Sequence, residues 1–218
     1  MDPAAPRRVF HWHEAPDTNK KVPGVTEGGY HDSFQCHCIL FDASQHVTKA
    51  HARDRIREEF DRAVAARKAG QLERAAFSAG AMAHYVGDLS QFCHVMGVGS
   101  HWGAEDQKIH AAYENAVDAT IDYKTRSSSL LDGYLKSVNV HGLTPEAIAE
   151  AVALHTEQGG RTTQNPGWMI QRLTNLGQAG KIGKIDQWSP TFRNRTGQNV
   201  NVSVNAVGKL LTLLAQSN

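Results

Sequence analysis

The sequence predicts an all-α fold, and three observations predict it. Apolar residues recur at helical spacing in roughly five to seven separate stretches, while no stretch alternates as a half-buried strand does and no internal repeat appears. Helix-starting devices stand where those stretches begin, as at Thr144-Pro145 and Asn165-Pro166. At 218 residues and 40% hydrophobic composition the chain fills one core, so residues 1–218 are read as a single domain.

In chain order, residues 1–49 contain Pro3, Pro6, Pro16, Pro23 and the pair Gly28-Gly29, and read as a loop-rich segment with short helical turns. The segment also carries His11, Trp12, His13, Asp17, His31, Asp32 and His37. Residues 50–69 form an amphipathic helix with Ile56, Phe60, Ala63 and Val64 on one face, ended by Gly70. From Leu72 to Leu89 the pattern is apolar nearly all round, which predicts a central, buried helix. Residues 106–124 are helical, and Lys124 to Ser129 are a linker. Helices then run from Thr144 to about Gln158 and from Asn165 to near Gly177. Asn205 caps a last one, with Val207, Leu210, Leu211 and Leu214 on its apolar side.

Bulk chemistry excludes little. A formal net charge of +1 shows no basic excess of the kind that marks nucleic-acid or anionic-membrane binding. There is no transmembrane run, and the opening MDPAAPRRVFHWHEAP is too polar for a secretory signal peptide. Cys36 and Cys38 are too close to bridge each other, and buried free thiols are the expectation for the three cysteines. Twelve histidines are the one compositional hint of metal chemistry.

That hint becomes specific in the buried helix. His84 and Asp88 stand four apart on one face, and a buried carboxylate is costly unless positive charge holds it. His94 follows, and His110 and Glu114 form a second pair four apart on the next helix. One such pair is an ordinary surface arrangement; the combination is rare. Imidazole and carboxylate donors without thiolates suit zinc. His101 and Glu105 form a competing pair that spacing alone does not reject.

The runs HYVGDLSQ, CH and HAAYENAVD resemble the zinc-dependent phospholipase C family, whose superfamily also holds the single-strand-specific zinc nucleases. His84, Asp88, His94, His110 and Glu114 match that family's ligand positions, and the match of Tyr113, Asn115, Val117 and Asp118 favours the second pair over His101 and Glu105. The resemblance implies that an Asp and a His about fourteen residues apart near the N-terminus complete the first site. Asp17 and His31 reproduce that separation, and His37 is the rival because its distance to His84 is closer to the family's. Where the family has Pro two residues before the third His, this chain has Phe92. The turn that brings in His94 is then expected from Gly97 to Gly103.

The resemblance further implies a compact multi-helix bundle with a cluster of two or three zinc ions at the base of a cleft, Asp88 helping to bridge two of them. It implies a phosphodiester hydrolase, a phospholipase C releasing diacylglycerol and a phosphorylated head group through a metal-activated water. Asp17 is then both ligand and general base. The substrate is a phospholipid, at a membrane surface or dispersed, and nucleic acid is the lesser expectation. A third ion would need His11 or His13 as substitutes for the family's N-terminal ligands. Family members are exported, so the given chain is a processed or truncated form or a departure in location. Two alternatives stand beside this reading: a single-strand nuclease or nucleotidase, for which Trp102 or Tyr30 would stack bases, and a catalytically impaired helical relative that only binds. Glu114 favours the phospholipase, because the nuclease branch commonly has Asp there. Head-group specificity and oligomeric state are not encoded in any pattern of the sequence.

Overall fold

The structure is a computed structural model describing residues 12–18, 30, 32–42, 44–96, 104–122, 127–128, 130, 144–165 and 167–217. At 12–14, 34–35, 104–107, 122 and 127–128 it describes the backbone alone. Among these residues the architecture is helical, with seven α-helices: α1 (His51–Lys68), α2 (Leu72–Asp88), α3 (Phe92–Val95), α4 (Ala104–Asp118), α5 (Pro145–Gly159), α6 (Trp168–Gln178) and α7 (Pro190–Gln216). Single 3-10 turns at Trp12–Asp17 and Phe34–His37 carry the N-terminal segment across α2 and α1.

The amphipathic face of α1 packs along α2, and the reversal between them turns on Gly70, whose φ of 72° suits a residue without a Cβ. Met82, Tyr85, Val86 and Leu89 of the central helix are fully buried, as its composition predicts. Its first residue departs from that expectation: Leu72 is 69% exposed, because α2 begins outside the cover of α1 and enters the core only a turn later. Helix α5 lies on α1, and α7 lies on α5 and α2.

The helix starts follow side-chain chemistry. Thr144 Oγ1 accepts from the Ala147 amide at 3.3 Å, with Pro145 in the first turn of α5. Ser189 Oγ does the same for the Phe192 amide at 3.3 Å and starts α7, ahead of the Asn205 start expected from sequence. Asn165 acts one step earlier than a cap: its Oδ1 accepts from the Gly167 amide at 2.9 Å, a local turn that leads into α6. Two short antiparallel ladders also occur, Leu40–Phe41 with Val47–Lys49 and Ile121–Asp122 with Ser127–Ser128. The second stands where the end of a helix over 106–124 and a linker were expected, because α4 ends at Asp118. Ladders this short leave no alternation to read.

Two packing features fix the elements that carry the site. Tyr113 of α4 is fully buried, stacked on Trp188 at 5.8 Å between ring centroids, with its hydroxyl 3.1 Å from Thr196 Oγ1 on α7. Gly160, at the end of α5, lies so close to α3 that a Cβ there would run into the side chains of Met96 and Phe92. The first holds the helix bearing His110 and Glu114; the second sets how closely α5 approaches the turn bearing His94. None of the three cysteines forms a disulfide, and Cys38 and Cys93 are buried.

Candidate metal centre

Helix α2 ends at Asp88, with Leu89 and Ser90 turning out of it and the Gln91 amide donating to the Asp88 carbonyl at 2.8 Å. The single turn of α3 follows and brings His94 back beneath Asp88. The reversal that aims His94 therefore lies upstream of it, at Gly87 to Gln91, where the Ser90 hydroxyl donates to the Gly87 carbonyl at 2.6 Å. The Gly97 to Gly103 stretch assigned this task from sequence lies outside the described residues, as do His101 and Trp102.

Asp88 is 9% exposed, at the C-terminal end of a helix where the backbone dipole disfavours an anion. What offsets this is a ring of imidazoles. His37 Nδ1 stands 2.7 Å and His84 Nε2 3.2 Å from its Oδ2, while His94 Nε2 stands 3.8 Å from its Oδ1. Burial alone would raise this carboxyl's pKa; the charges of His84 and His94 and the hydrogen bonds from His37 and His84 reverse that and hold it far below the carboxylate range. His84 moves the opposite way. Burial opposes its protonation, but Asp88 and Asp17 raise its pKa well above 6.5.

Two groups of donors flank Asp88. On one side are Asp17, His37 and His84, with His84 Nε2 3.5 Å from Asp17 Oδ1 and 3.2 Å from His37 Nδ1, and His37 Nε2 3.8 Å from Asp17 Oδ1. On the other are His94, His110 and Glu114. Their imidazole Nε2 atoms are 3.0 Å apart, and Glu114 Oε1 lies 3.3 Å from the first and 2.7 Å from the second. Burial would raise the Glu114 pKa, but hydrogen bonds from His110 and His94 hold it at about 2.

These spacings fit zinc. Four ligands at zinc–nitrogen or zinc–oxygen distances of about 2.0–2.1 Å in a tetrahedron lie roughly 3.3 Å from one another. Two imidazole nitrogens and a carboxylate oxygen converging at that spacing are the arrangement a dication stabilises, and in its absence protons must do so.

The centre opens on a cavity of about 310 Å³ lined by Asp17, Asp32, His37, Asp88, His94, His110, Ala111 and Glu114. Larger hollows of about 610 Å³, between α4 and α6, and about 560 Å³, beside Tyr30 and Arg74, carry no such convergence of donors among the described residues. The cavity's outer wall is the N-terminal segment. The Tyr30 amide donates to the Ala15 carbonyl and the Asp32 amide to the Pro16 carbonyl, both at 2.7 Å, so Tyr30 and Asp32 brace the 3-10 turn that ends at Asp17. Side chains of α1 and α2 anchor that brace. The Tyr85 hydroxyl donates to Asp32 Oδ2, Arg55 Nε donates to the same oxygen at 3.2 Å, and the Tyr30 hydroxyl donates to the fully buried Glu59 at 3.2 Å.

Six of the seven sequence-predicted ligands, Asp17, His84, Asp88, His94, His110 and Glu114, are thus brought together. The seventh, His31, lies outside the described residues, and among the described residues the imidazole beside Asp17 and His84 is that of His37. His11 also lies outside them, and of His13 only the backbone is described. Asp32, one of the potential ligands of the N-terminal segment, and Cys38 stand outside the ligand set expected from sequence. Asp32 has no helical partner spacing, and Cys38 reaches the centre only through the fold.

The chain matches the model of a family described as zinc dependent phospholipase C over residues 11–155. It belongs to that family, and every residue of the centre falls inside the match. Membership sets the class as a zinc-dependent hydrolase of the phosphodiesterase type. No curated protein is matched by the chain. No helix among the described residues is long and apolar enough to cross a membrane.

Proposed function

We propose that the protein is a phospholipase C that holds two zinc ions and hydrolyses a glycerophospholipid to diacylglycerol and a phosphorylated head group. The observation that carries this is the Asp88 carboxylate, with one oxygen toward each three-donor group. Asp17, His37, His84 and Asp88 would hold one ion, and Asp88, His94, His110 and Glu114 the other; His37 replaces His31 in this set. Zinc held there supplies a lowered water pKa and neutralises charge on the attacking and leaving oxygens.

The chain's own groups do the rest. Asp17, with 64% of its side chain exposed, is the ligand nearest bulk water and accepts the attacking water's proton. Two dications against the three ligand carboxylates leave residual positive charge to bind a phosphodiester anion. Asp32, its Oδ2 committed to Tyr85 and Arg55, lines the wall and stays outside the ligand sets. Tyr30 does not serve as a base-stacking platform: its ring packs edge-on to Phe77 at 5.6 Å and beneath Arg55 at 5.0 Å. Export from the cell belongs to this proposal on the strength of family membership alone.

The test is hydrolysis by zinc-loaded protein of phosphatidylcholine in mixed micelles against single-stranded DNA. Zinc-dependent release of diacylglycerol is expected, abolished in His84→Ala. Cleavage of DNA without lipid turnover would replace this reading with the nuclease. No hydrolysis of either would leave a binding protein.

A further inference from the structure

The ligand sets explain one face of His94 and leave the other open. Its Nε2 faces His110, Glu114 and Asp88. Its Nδ1 points away from the cavity, 3.8 Å from Sγ of Cys38, within hydrogen-bond reach for sulfur, and both residues are buried. An imidazole that ligates through Nε2 in its neutral form must carry its proton on Nδ1. That N–H needs an acceptor in the interior, and the sulfur is within reach. Metal-bound histidines are ordinarily oriented by a carboxylate, a carbonyl or water at this position.

Cys38 also follows His37 directly, so the dipeptide touches both halves of the centre. The His37 ring meets Asp88 and His84, and the next side chain meets His94. The chain around it is tied in place, with the Ala52 amide donating to the Cys38 carbonyl at 3.1 Å at the start of α1.

Building on the two-zinc reading above, we infer that Cys38 is a positioning residue that accepts the Nδ1–H of His94, fixing its tautomer and ring so that Nε2 faces the second zinc. Cys38 is not itself a ligand, since it stands on the far side of the imidazole from the other donors. The role requires an acceptor at this point, so serine supplies part of it and alanine none.

The experiment compares wild type, Cys38→Ala and Cys38→Ser in zinc titrations against a competing chelator, with elemental analysis of bound zinc. The histidine ring nitrogens of the zinc-loaded proteins are followed by 15N NMR. Thermal unfolding of the metal-free forms controls for packing. Wild type should bind two ions. Cys38→Ala should weaken the second about 10- to 100-fold, the range for loss of an outer partner of a ligand, and shift or broaden the His94 Nδ1–H signal. Cys38→Ser should recover part of both. Two ions bound by Cys38→Ala with unchanged affinity and an unchanged His94 signal would overturn the inference and leave the two-zinc reading intact. No zinc in wild type would overturn both. Should Cys38→Ala fail to fold, the decision falls to Cys38→Ser: a partly weakened second site with a shifted but retained His94 Nδ1–H signal supports the role, and affinity and signal both unchanged from wild type overturn it.

Discussion

The two halves of the centre are built in different ways. His94, His110 and Glu114 come from α3 and α4, close together in sequence, and both imidazoles are nearly buried. Asp17, His37 and His84 come from two 3-10 turns and α2, and Asp17 is open to solvent. One half is made by local helical spacing on a packed core. The other is made by tertiary bracing, in which α1 and α2 hold Tyr30 and Asp32 and these hold the turn that ends at Asp17. A site assembled from local spacing tolerates change in its surroundings, whereas one assembled by a brace is as secure as the brace.

Asp88 belongs to both halves and its loss should have the largest effect. Asp88→Asn keeps the shape, removes the shared charge, and should drop bound zinc below one ion per chain, with affinity down more than about 100-fold at each site. Elemental analysis after dialysis reads this. Retention of both ions would deny the bridging role.

Next, the halves should come apart under single substitutions. His110→Ala should lose the second ion and keep the first, and His37→Ala the reverse, each with hydrolysis at background. Zinc titrations of the two variants check it. If His37→Ala keeps both ions while His31→Ala loses one, His31 is the ligand.

Arg55→Leu acts only through the brace. It removes a donor from Asp32 and an ion-pair partner of Glu59 at 3.5 Å. It should weaken the first ion about 10-fold and leave the second unchanged, within the range for outer partners of ligands. Equal weakening of both would mean that the halves share their support.

The smallest expected effect is in proton balance. Without zinc, the raised pKa of His84 contributes stability that is fully present below its ordinary value of 6.5 and is lost as pH rises through the folded-state value. The depressed pKa of Asp88 contributes stability present above its ordinary 3.8 and lost as pH falls through its folded-state value. Metal-free protein should therefore be most stable between those ordinary values. Zinc must displace the His84 proton, so near neutrality binding at the first site should be accompanied by proton release. Calorimetry in buffers of differing ionisation enthalpy measures this.

The same division explains what the sequence reveals. His84 with Asp88 and His110 with Glu114 can be read directly, because helical spacing by itself brings such pairs onto one face. His94 is found by family resemblance, but the turn that aims it is not, since Gly87 to Gln91 carries no proline to announce it. The choice between His31 and His37 depends on the path of a loop with no periodicity, and separation along the chain does not fix distance in space. Helix α7 shows the same limit within the fold. Its start at Ser189-Pro190 repeats the device at Thr144-Pro145, yet the polar residues it buries, Thr196, Asn199, Asn201 and Ser203, erase the apolar stripe that would have extended it back from Asn205. Asn201, which begins an Asn-Val-Ser glycosylation triplet, is itself 6% exposed within that helix and closed to glycosylation in the folded chain.

The most direct measurement is a crystal structure of the zinc-soaked protein with anomalous data at the zinc edge. Two peaks about 3.5–4 Å apart, one on each side of the Asp88 carboxylate, with His37 in the coordination shell of the first, are predicted. A single peak, or two peaks that Asp88 does not join, would contradict the account.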